Sequence, residues 1–83
     1  MKDTTYLQGI GNVKGTPART VKVGDHIVFN GGESNKVIEI VAETPAFVTF
    51  KLEYTYRGET RTWLRRFKKD RIVARPRREL EAA

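Results

Sequence analysis

Apolar and polar residues alternate through the segment FVTFKLEYTY, residues 47–56. Valine, phenylalanine, leucine and two tyrosines occupy the even positions from 48 to 56, whereas threonine, lysine and glutamate occupy the odd positions between them. A period of two is typical of a β-strand that buries one face, and β-branched and aromatic residues favour a strand over a helix. The RGE that follows supplies a glycine for a turn. The pattern therefore predicts a strand that leads into a hairpin.

A hairpin closed by this turn predicts a second strand, which starts near Thr60 and runs through Trp63 to Phe67. Residues 56–59 then form the connection. The predicted cross-strand pairs are Thr55 with Thr60, Tyr54 with Arg61, Leu52 with Trp63, Phe50 with Arg65 and Val48 with Phe67.

This register divides the second strand between two faces of the hairpin. Trp63 and Phe67 join the aromatic face, so Tyr54 and Trp63 are expected in the core. Arg61 is expected at the rim, in a cation–π contact with Tyr54. The opposite face takes Leu64, Arg66 and Lys68 together with Thr49 and Lys51.

Two alternatives remain open for the second strand. Residues 61–71 also fit an amphipathic helix, because Trp63, Leu64 and Phe67 fall at positions i, i+1 and i+4. A one-residue slip of the hairpin would instead pair Leu52 with Leu64. The strand is favoured over the helix because RTW offers no good N-terminal cap and because the segment directly follows a turn.

Shorter apolar runs separated by Gly, Asn and Pro predict the remaining strands. One lies at 26–29 after a Gly-Asp turn, a second follows the Asn-Gly-Gly tip, and a short last strand covers 71–74. The sequence therefore predicts an all-β fold, a small antiparallel β-barrel of about five strands over residues 19–75. Residues 1–18 are expected to form a flexible arm or, at 6–10, an edge strand, and residues 76–83 a basic tail, frayed or ending in a short helix.

The composition offers few groups for catalysis. The chain has no cysteine, and it has one histidine, His26, and one serine, Ser34, which nothing places within reach of each other. No paired carboxylates suggest acid–base or metal chemistry. The glycines of GIGNVKG at 9–15 lack the strand, helix and acidic residue of a nucleotide-binding unit. We therefore expect a protein that is not an enzyme and that holds no cofactor or metal.

Positive charge is concentrated in one part of the chain. The 83 residues carry a net charge of +6, and residues 57–78 contain ten cations against only Glu59 and Asp70. Such a concentration favours a polyanionic partner, so we predict that this segment binds DNA or RNA. Tyr56, next to the turn, is the tyrosine best placed to stack on a base. The predicted site is Tyr56, Arg57, Arg61, Arg65, Arg66, Lys68, Lys69 and Arg71, with Arg75, Arg77 and Arg78 as a flexible basic extension.

Other partners fit the same charge distribution. An acidic host or viral protein would be attracted to this surface, and a small barrel can also extend its core by forming a homo-oligomer. No apolar run reaches the length of a signal peptide or a membrane span, so we expect a cytoplasmic protein that does not interact with membranes.

The segment VKVGDHIVFNGG, followed by KVIEI, resembles the opening hairpin of KOW-type and other SH3-like barrels, which commonly bind RNA, DNA or proteins. In place of the glycine pair that usually precedes the second strand of a KOW motif, this chain has Glu33, Ser34, Asn35 and Lys36. Across the whole chain, GTPARTVKVGD, NGG and RRFKKDRIVARP resemble small accessory proteins of actinobacterial bacteriophages. This resemblance implies an SH3-like fold and a role in the host cytoplasm, on nucleic acid or on a host protein.

Overall fold

A computed structural model of the chain describes residues 4–81; residues 1–3 and 82–83, the ends of the predicted arm and tail, lie outside the described part. The described residues form an all-β structure with a single antiparallel sheet. The strands are β1 (Thr4–Leu7), β2 (Gly11–Pro17), β3 (His26–Val28), β4 (Ser34–Glu43), β5 (Phe47–Tyr56), β6 (Glu59–Lys68) and β7 (Ile72–Ala74). Two 3₁₀ turns, Ala18–Thr20 and Asn30–Gly32, and one short helix, α1 (Arg77–Glu81), complete the fold.

The strand order across the sheet is β1-β2-β7-β3-β4-β5-β6. Strands β3 to β6 form a meander, and β7 returns to pair with the first strand of that meander, Val28 opposite Ala74. The sheet is bent by register irregularities in β4, between Val37 and Glu39 and between Ile40 and Ala42. It does not close, because β1 and β6 remain at its two edges. The prediction of a barrel of about five strands is therefore wrong, because the sheet is open and has seven strands, although the all-β class is confirmed.

The two additional strands come from the N-terminal segment. β1 and β2 form a hairpin, and β2 pairs with β7 through Gly15 opposite Ala74. Gly15 is required for this approach, because a Cβ at that position would overlap the backbone carbonyl of Val73. Most of the segment predicted as an arm is therefore hydrogen-bonded into the sheet in this structure.

The β5–β6 hairpin has the predicted register. Every predicted pair is present, from Thr55 opposite Thr60 to Val48 opposite Phe67. Both the helix and the one-residue slip are thereby excluded. Arg57 and Gly58 form the two-residue turn with φ of 51° and 79°, the left-handed conformation that a type I′ hairpin turn needs at both central residues.

The core is formed mainly by side chains from β3, β4 and the β5–β6 hairpin. Phe50, Leu52, Val37 and Ile27 are its largest fully buried side chains. Val48 and Phe67 extend the core along the hairpin, while residues from the loop after β2 and from β7 cover its other side; these are Ala18, Val21 and Val73. Within the β5–β6 hairpin, the buried residues are Val48, Phe50, Leu52 and Phe67, all of them away from the turn.

Candidate nucleic-acid interface

The tip of the β5–β6 hairpin extends beyond the rest of the sheet. The pairing of β5 with β4 ends at Glu53, opposite Lys36, whereas its pairing with β6 continues to Tyr56, opposite Glu59. The face that is core at Phe50 and Leu52 therefore emerges into solvent along the last residues of the hairpin. This emerging face and the neighbouring end of β3 line a groove of about 630 Å³, here called the aromatic groove; its residues are Phe29, Asn30, Glu33, Asn35, Tyr54, Tyr56, Arg61, Trp63 and Arg65.

The indole of Trp63 is the central side chain of the aromatic groove. Its ring is 5.5 Å from that of Phe29, centroid to centroid, and its Nε1 donates a 2.7 Å hydrogen bond to Oδ1 of Asn35. Asn35 is almost completely buried, whereas Trp63 is 36% exposed. The prediction that Trp63 belongs to the core is therefore wrong, because Trp63 lies on the edge strand β6, one strand farther out than its fully buried partner Leu52. Tyr54 is half-buried.

Three arginines stand among these aromatic rings. The guanidinium carbons of Arg57 and Arg61 lie 5.3 and 5.8 Å from the centroid of the Tyr56 ring. That of Arg65 lies between three rings, at 5.6 Å from Phe29, 5.7 Å from Trp63 and 5.2 Å from Phe67. Arg61 contacts Tyr56 rather than the predicted Tyr54. Tyr54 is directly opposite Arg61 on the same face of the hairpin, two residues farther from the turn.

The charges of these arginines are scarcely neutralised. Within residues 4–81, no carboxylate forms a salt bridge with Arg57 or Arg65, and Arg61 has only a 3.7 Å contact with the exposed Glu59. One carboxylate, Glu33, lines the groove. The groove therefore combines accessible aromatic surface with excess positive charge.

Other predicted site residues lie on the opposite face of the hairpin, here called the outer face. Arg66 and Lys68 project there with Lys51 and Leu64, in agreement with the predicted register. Arg66 lies 4.5 Å from the centroid of the Phe47 ring. Since neighbouring residues of a strand point to opposite sides, the charge run RR at 65–66 is divided between two surfaces.

The remaining predicted residues follow β6. Lys69 forms a 2.6 Å ion pair with Glu43, and Arg71 lies 5.7 Å from the Phe67 ring, near Arg65. In α1, Arg77 pairs with Glu81 and Arg78 is exposed. Lys69 and Arg71 therefore lie close to the end of β6, whereas Arg77 and Arg78 lie in α1, which contacts β2 and β3 instead.

Arg75 has a structural position. Its side chain is only 9% exposed, and its guanidinium group pairs with Asp25 at 3.3 Å and with Glu79 at 2.8 Å. It also donates hydrogen bonds to the carbonyl oxygen of His26 and to Oγ1 of Thr16. The expectation that Arg75 belongs to a flexible basic extension is therefore wrong in placement, because Arg75 joins β2, β3 and α1.

Glu79 anchors the short helix beside the sheet. Partial burial alone would raise its pKa, but hydrogen bonds from Arg75, from the backbone N–H of His26 and from the His26 ring lower the pKa of Glu79 from 4.5 to about 2. The distance between Nδ1 of His26 and Oε2 of Glu79 is 2.7 Å. The histidine is thus committed to a contact that fixes α1.

Phe29, Glu33 and Asn35 were missed as groove residues in the sequence. They are distant from the basic segment along the chain, and only the β3–β4 hairpin brings them beside Trp63. Asn35 gave a partial signal, because it is a polar residue near the start of a predicted strand and is soon followed by the apolar residues Val37 and Ile38. A buried amide needs a hydrogen-bond partner, and the nearby hairpin contained the donor.

Two further properties concern the described residues only. Between residues 4 and 81 no group of three or more His, Asp or Glu side chains is arranged to hold a metal ion. No helix in that range is long and apolar enough to cross a membrane. Comparison of the chain with protein-family profiles, with curated proteins and with solved structures finds no match.

Proposed function

We propose that the protein is a non-catalytic nucleic-acid-binding protein and that the aromatic groove is its contact surface. The observation that carries the proposal is the arrangement of Arg57, Arg61 and Arg65 around exposed aromatic rings, with little neutralisation by carboxylates. An aromatic ring with a cation beside it can contact a base and a neighbouring phosphate together.

The positions of the other cations suggest that they contribute to nucleic-acid binding to different degrees. Arg71 is beside Phe67 and close to Arg65, so it extends the positive surface away from the hairpin tip. Lys69 and Arg75 contribute less, because their charges are already paired with carboxylates. Arg66 and Lys68 contribute attraction at longer range from the outer face, and this attraction is weakened by salt.

The resemblance to KOW-type barrels and to phage accessory proteins agrees with this proposal. Strands β3 to β6 form a bent antiparallel meander, and β7 returns to pair with β3, an arrangement compatible with an open relative of an SH3-like barrel. We place the protein in the cytoplasm, which is the host cytoplasm if a phage encodes it.

The salt dependence of binding tests the proposal. If about three to five cations each neutralise one phosphate, the logarithm of the affinity should fall against the logarithm of the salt concentration with a slope of roughly −2 to −4. The measurement is fluorescence anisotropy of a labelled oligonucleotide, titrated with protein at several salt concentrations. Absence of binding to both single strands and duplexes at low salt would overturn the proposal.

A second candidate function rests on the edge strand β6. This strand has ten residues, Glu59–Lys68, and it pairs with another strand on one side only. An unpaired edge can accept a strand from another protein, and Leu64, 57% exposed, offers it an apolar contact. Because β6 carries four cations against one anion, it suits an acidic segment better than a second copy of itself.

Affinity capture with and without nuclease separates the two functions. Under the nucleic-acid proposal, protein partners are lost from the captured material after nuclease treatment, since nucleic acid bridges them. A partner of acidic sequence that remains after nuclease, together with weak binding to all nucleic acids, would select the protein-binding function instead.

A further inference from the structure

The aromatic groove offers ring faces as well as charge, and this bears on which form of nucleic acid it accepts. We propose that the groove selects single-stranded nucleic acid over duplex, by stacking unpaired bases on Tyr56 and Trp63 while the arginines contact the phosphates. The inference rests on the proposed function and names its substrate class. It starts from the accessibility of the two rings, which are 49% and 36% exposed.

The rings are accessible because of where the hairpin places them. Tyr56 and Trp63 lie on the same face as Phe50 and Leu52, which are fully buried. Tyr56 lies beyond the end of the pairing with β4, and Trp63 lies on the edge strand β6, so residues 4–81 leave part of both rings exposed. Exposed aromatic surface on an otherwise apolar face is available for a flat apolar ligand, and every base has such a face.

Trp63 is also held in position before any ligand arrives. Its hydrogen bond to the buried Asn35 fixes one edge of the indole, and its contact with Phe29 restricts the other side. A ring that is already oriented loses little conformational freedom on binding, which favours stacking.

The arginines supply the complementary charge. Arg57 and Arg61 lie against Tyr56, so a guanidinium group that moves to a phosphate uncovers ring surface for the adjoining base. Arg65 lies beside Trp63 in the same way. Glu33 lines the groove as well and repels phosphate. The geometry therefore places the sugar–phosphate chain along the hairpin arginines and directs the bases toward Trp63.

A duplex cannot use these features. Its base faces are stacked on one another inside the helix, and only base edges and phosphates are accessible. A duplex would contact the protein through charge alone. The charge available to it is divided, because Arg61 and Arg65 lie in the groove whereas Arg66 and Lys68 lie on the outer face. The groove therefore gains more from a single strand than from a duplex.

The chain contains one tryptophan, so its fluorescence reports directly on the groove. The probes are an oligothymidylate of about ten nucleotides, a length typical of small single-strand-binding domains, and a duplex of equal length. The single strand should quench Trp63 fluorescence and should bind about tenfold or more tightly than the duplex, which corresponds to one base–aromatic stack. The duplex should leave the fluorescence largely unchanged.

A tyrosine pair provides the matched variants. Tyr56→Ala should weaken single-strand binding by about tenfold and should change duplex binding little. Tyr6→Ala removes a tyrosine that is 66% exposed on β1 and does not line the groove, so it should leave both affinities unchanged. Equal losses from the two substitutions would overturn the stacking proposal.

The outcomes distinguish this inference from the function on which it rests. Duplex binding that equals or exceeds single-strand binding, without quenching of Trp63, overturns the inference and leaves the nucleic-acid function standing. Failure of both probes to bind at low salt overturns both. Preferential single-strand binding with quenching, reduced by Tyr56→Ala but not by Tyr6→Ala, supports both.

Discussion

Nε1 of Trp63 donates a 2.7 Å hydrogen bond to Oδ1 of Asn35, so a partly exposed indole is tied to an amide that is almost completely buried. The bond joins β6 to the start of β4, two strands that do not pair with each other. It satisfies a buried acceptor and orients the ring that forms the centre of the aromatic groove. This pair of residues therefore contributes both to the stability of the fold and to the geometry of the proposed binding surface.

The substitution Trp63→Phe tests the structural part of this relationship. It keeps an aromatic ring but removes the donor, which leaves the buried oxygen of Asn35 without its partner. We expect the free energy of unfolding to fall by about 1–3 kcal/mol, the usual cost of such a group, as measured by urea denaturation. Leu64→Ala, at an exposed neighbouring position, should change it by less than about 0.5 kcal/mol. Equal stability of the two variants would show that the hydrogen bond does not anchor the ring.

The hairpin turn predicts a conflict between stability and binding. Arg57 has φ of 51° and precedes Gly58, at a position where asparagine is the preferred residue of a type I′ turn. Arg57→Asn should therefore raise the unfolding free energy by a few tenths to about 1 kcal/mol. The same substitution should weaken nucleic-acid binding, because it removes a cation that lies against the Tyr56 ring of the groove. Thermal unfolding and anisotropy titration of one sample measure the two effects, and an unchanged affinity would remove Arg57 from the site.

The lowered pKa of Glu79 predicts an acid-dependent contribution to stability. Because the folded-state pKa, about 2, lies below the ordinary value of 4.5, the contribution is complete above about pH 4.5 and is lost as the pH falls toward 2. Glu79→Gln should be less stable than the natural protein near neutral pH, by roughly 1–3 kcal/mol. The difference should shrink between pH 4.5 and 2, as followed by denaturant unfolding at each pH. A difference that stays constant across this range would contradict the ion-pair account of α1.

Gly15 tests whether the N-terminal hairpin is a structural part of the sheet. A Cβ at this position meets the Val73 backbone, which cannot move without disturbing β7. Gly15→Ala should lower the unfolding free energy by about 1–3 kcal/mol, as overpacking does, whereas Lys14→Ala, at the exposed neighbouring residue, should have little effect. Urea denaturation provides the comparison. If Gly15→Ala is as stable as the natural protein, residues 4–17 behave as an arm after all.

The sequence predicted the central hairpin well because its information is local. An alternation of period two fixes which side chains share a face, and a turn with glycine fixes the register, so the pairing of Leu52 with Trp63 followed from neighbouring residues alone. The strands β1 and β2 were harder to predict. They contain few apolar residues, β2 contains two glycines, and β2 joins the rest of the sheet only by pairing with β7, which is distant in the sequence.

The candidate site was only partly predictable for the same reason. A run of cations shows where charge is concentrated but not which charges are neutralised. Arg75 meets Asp25 and Glu79 only in the folded chain, and one of these partners is 50 positions away. The position of Trp63 outside the core depends on β6 being an edge strand of the sheet, which the alternation does not specify.

The central claim is that the groove arginines, rather than positive charge in general, bind nucleic acid. Two variants of equal charge test it. In the groove variant, Arg57, Arg61 and Arg65, which lie against the aromatic rings of the groove, are changed together to Gln. In the outer-face variant, Lys51, Arg66 and Lys68 are changed together to Gln. Both lose three cations from the same hairpin, so they differ mainly in the face affected.

The decisive measurement is the affinity of each variant for one labelled oligothymidylate over a range of salt concentrations. The groove variant should bind far more weakly, and its salt slope should be smaller in magnitude by about 2 because three phosphate contacts are lost. The outer-face variant should keep a slope close to that of the natural protein. Equal losses of affinity and slope in the two variants would contradict the account, because binding would then depend on net charge and not on the groove.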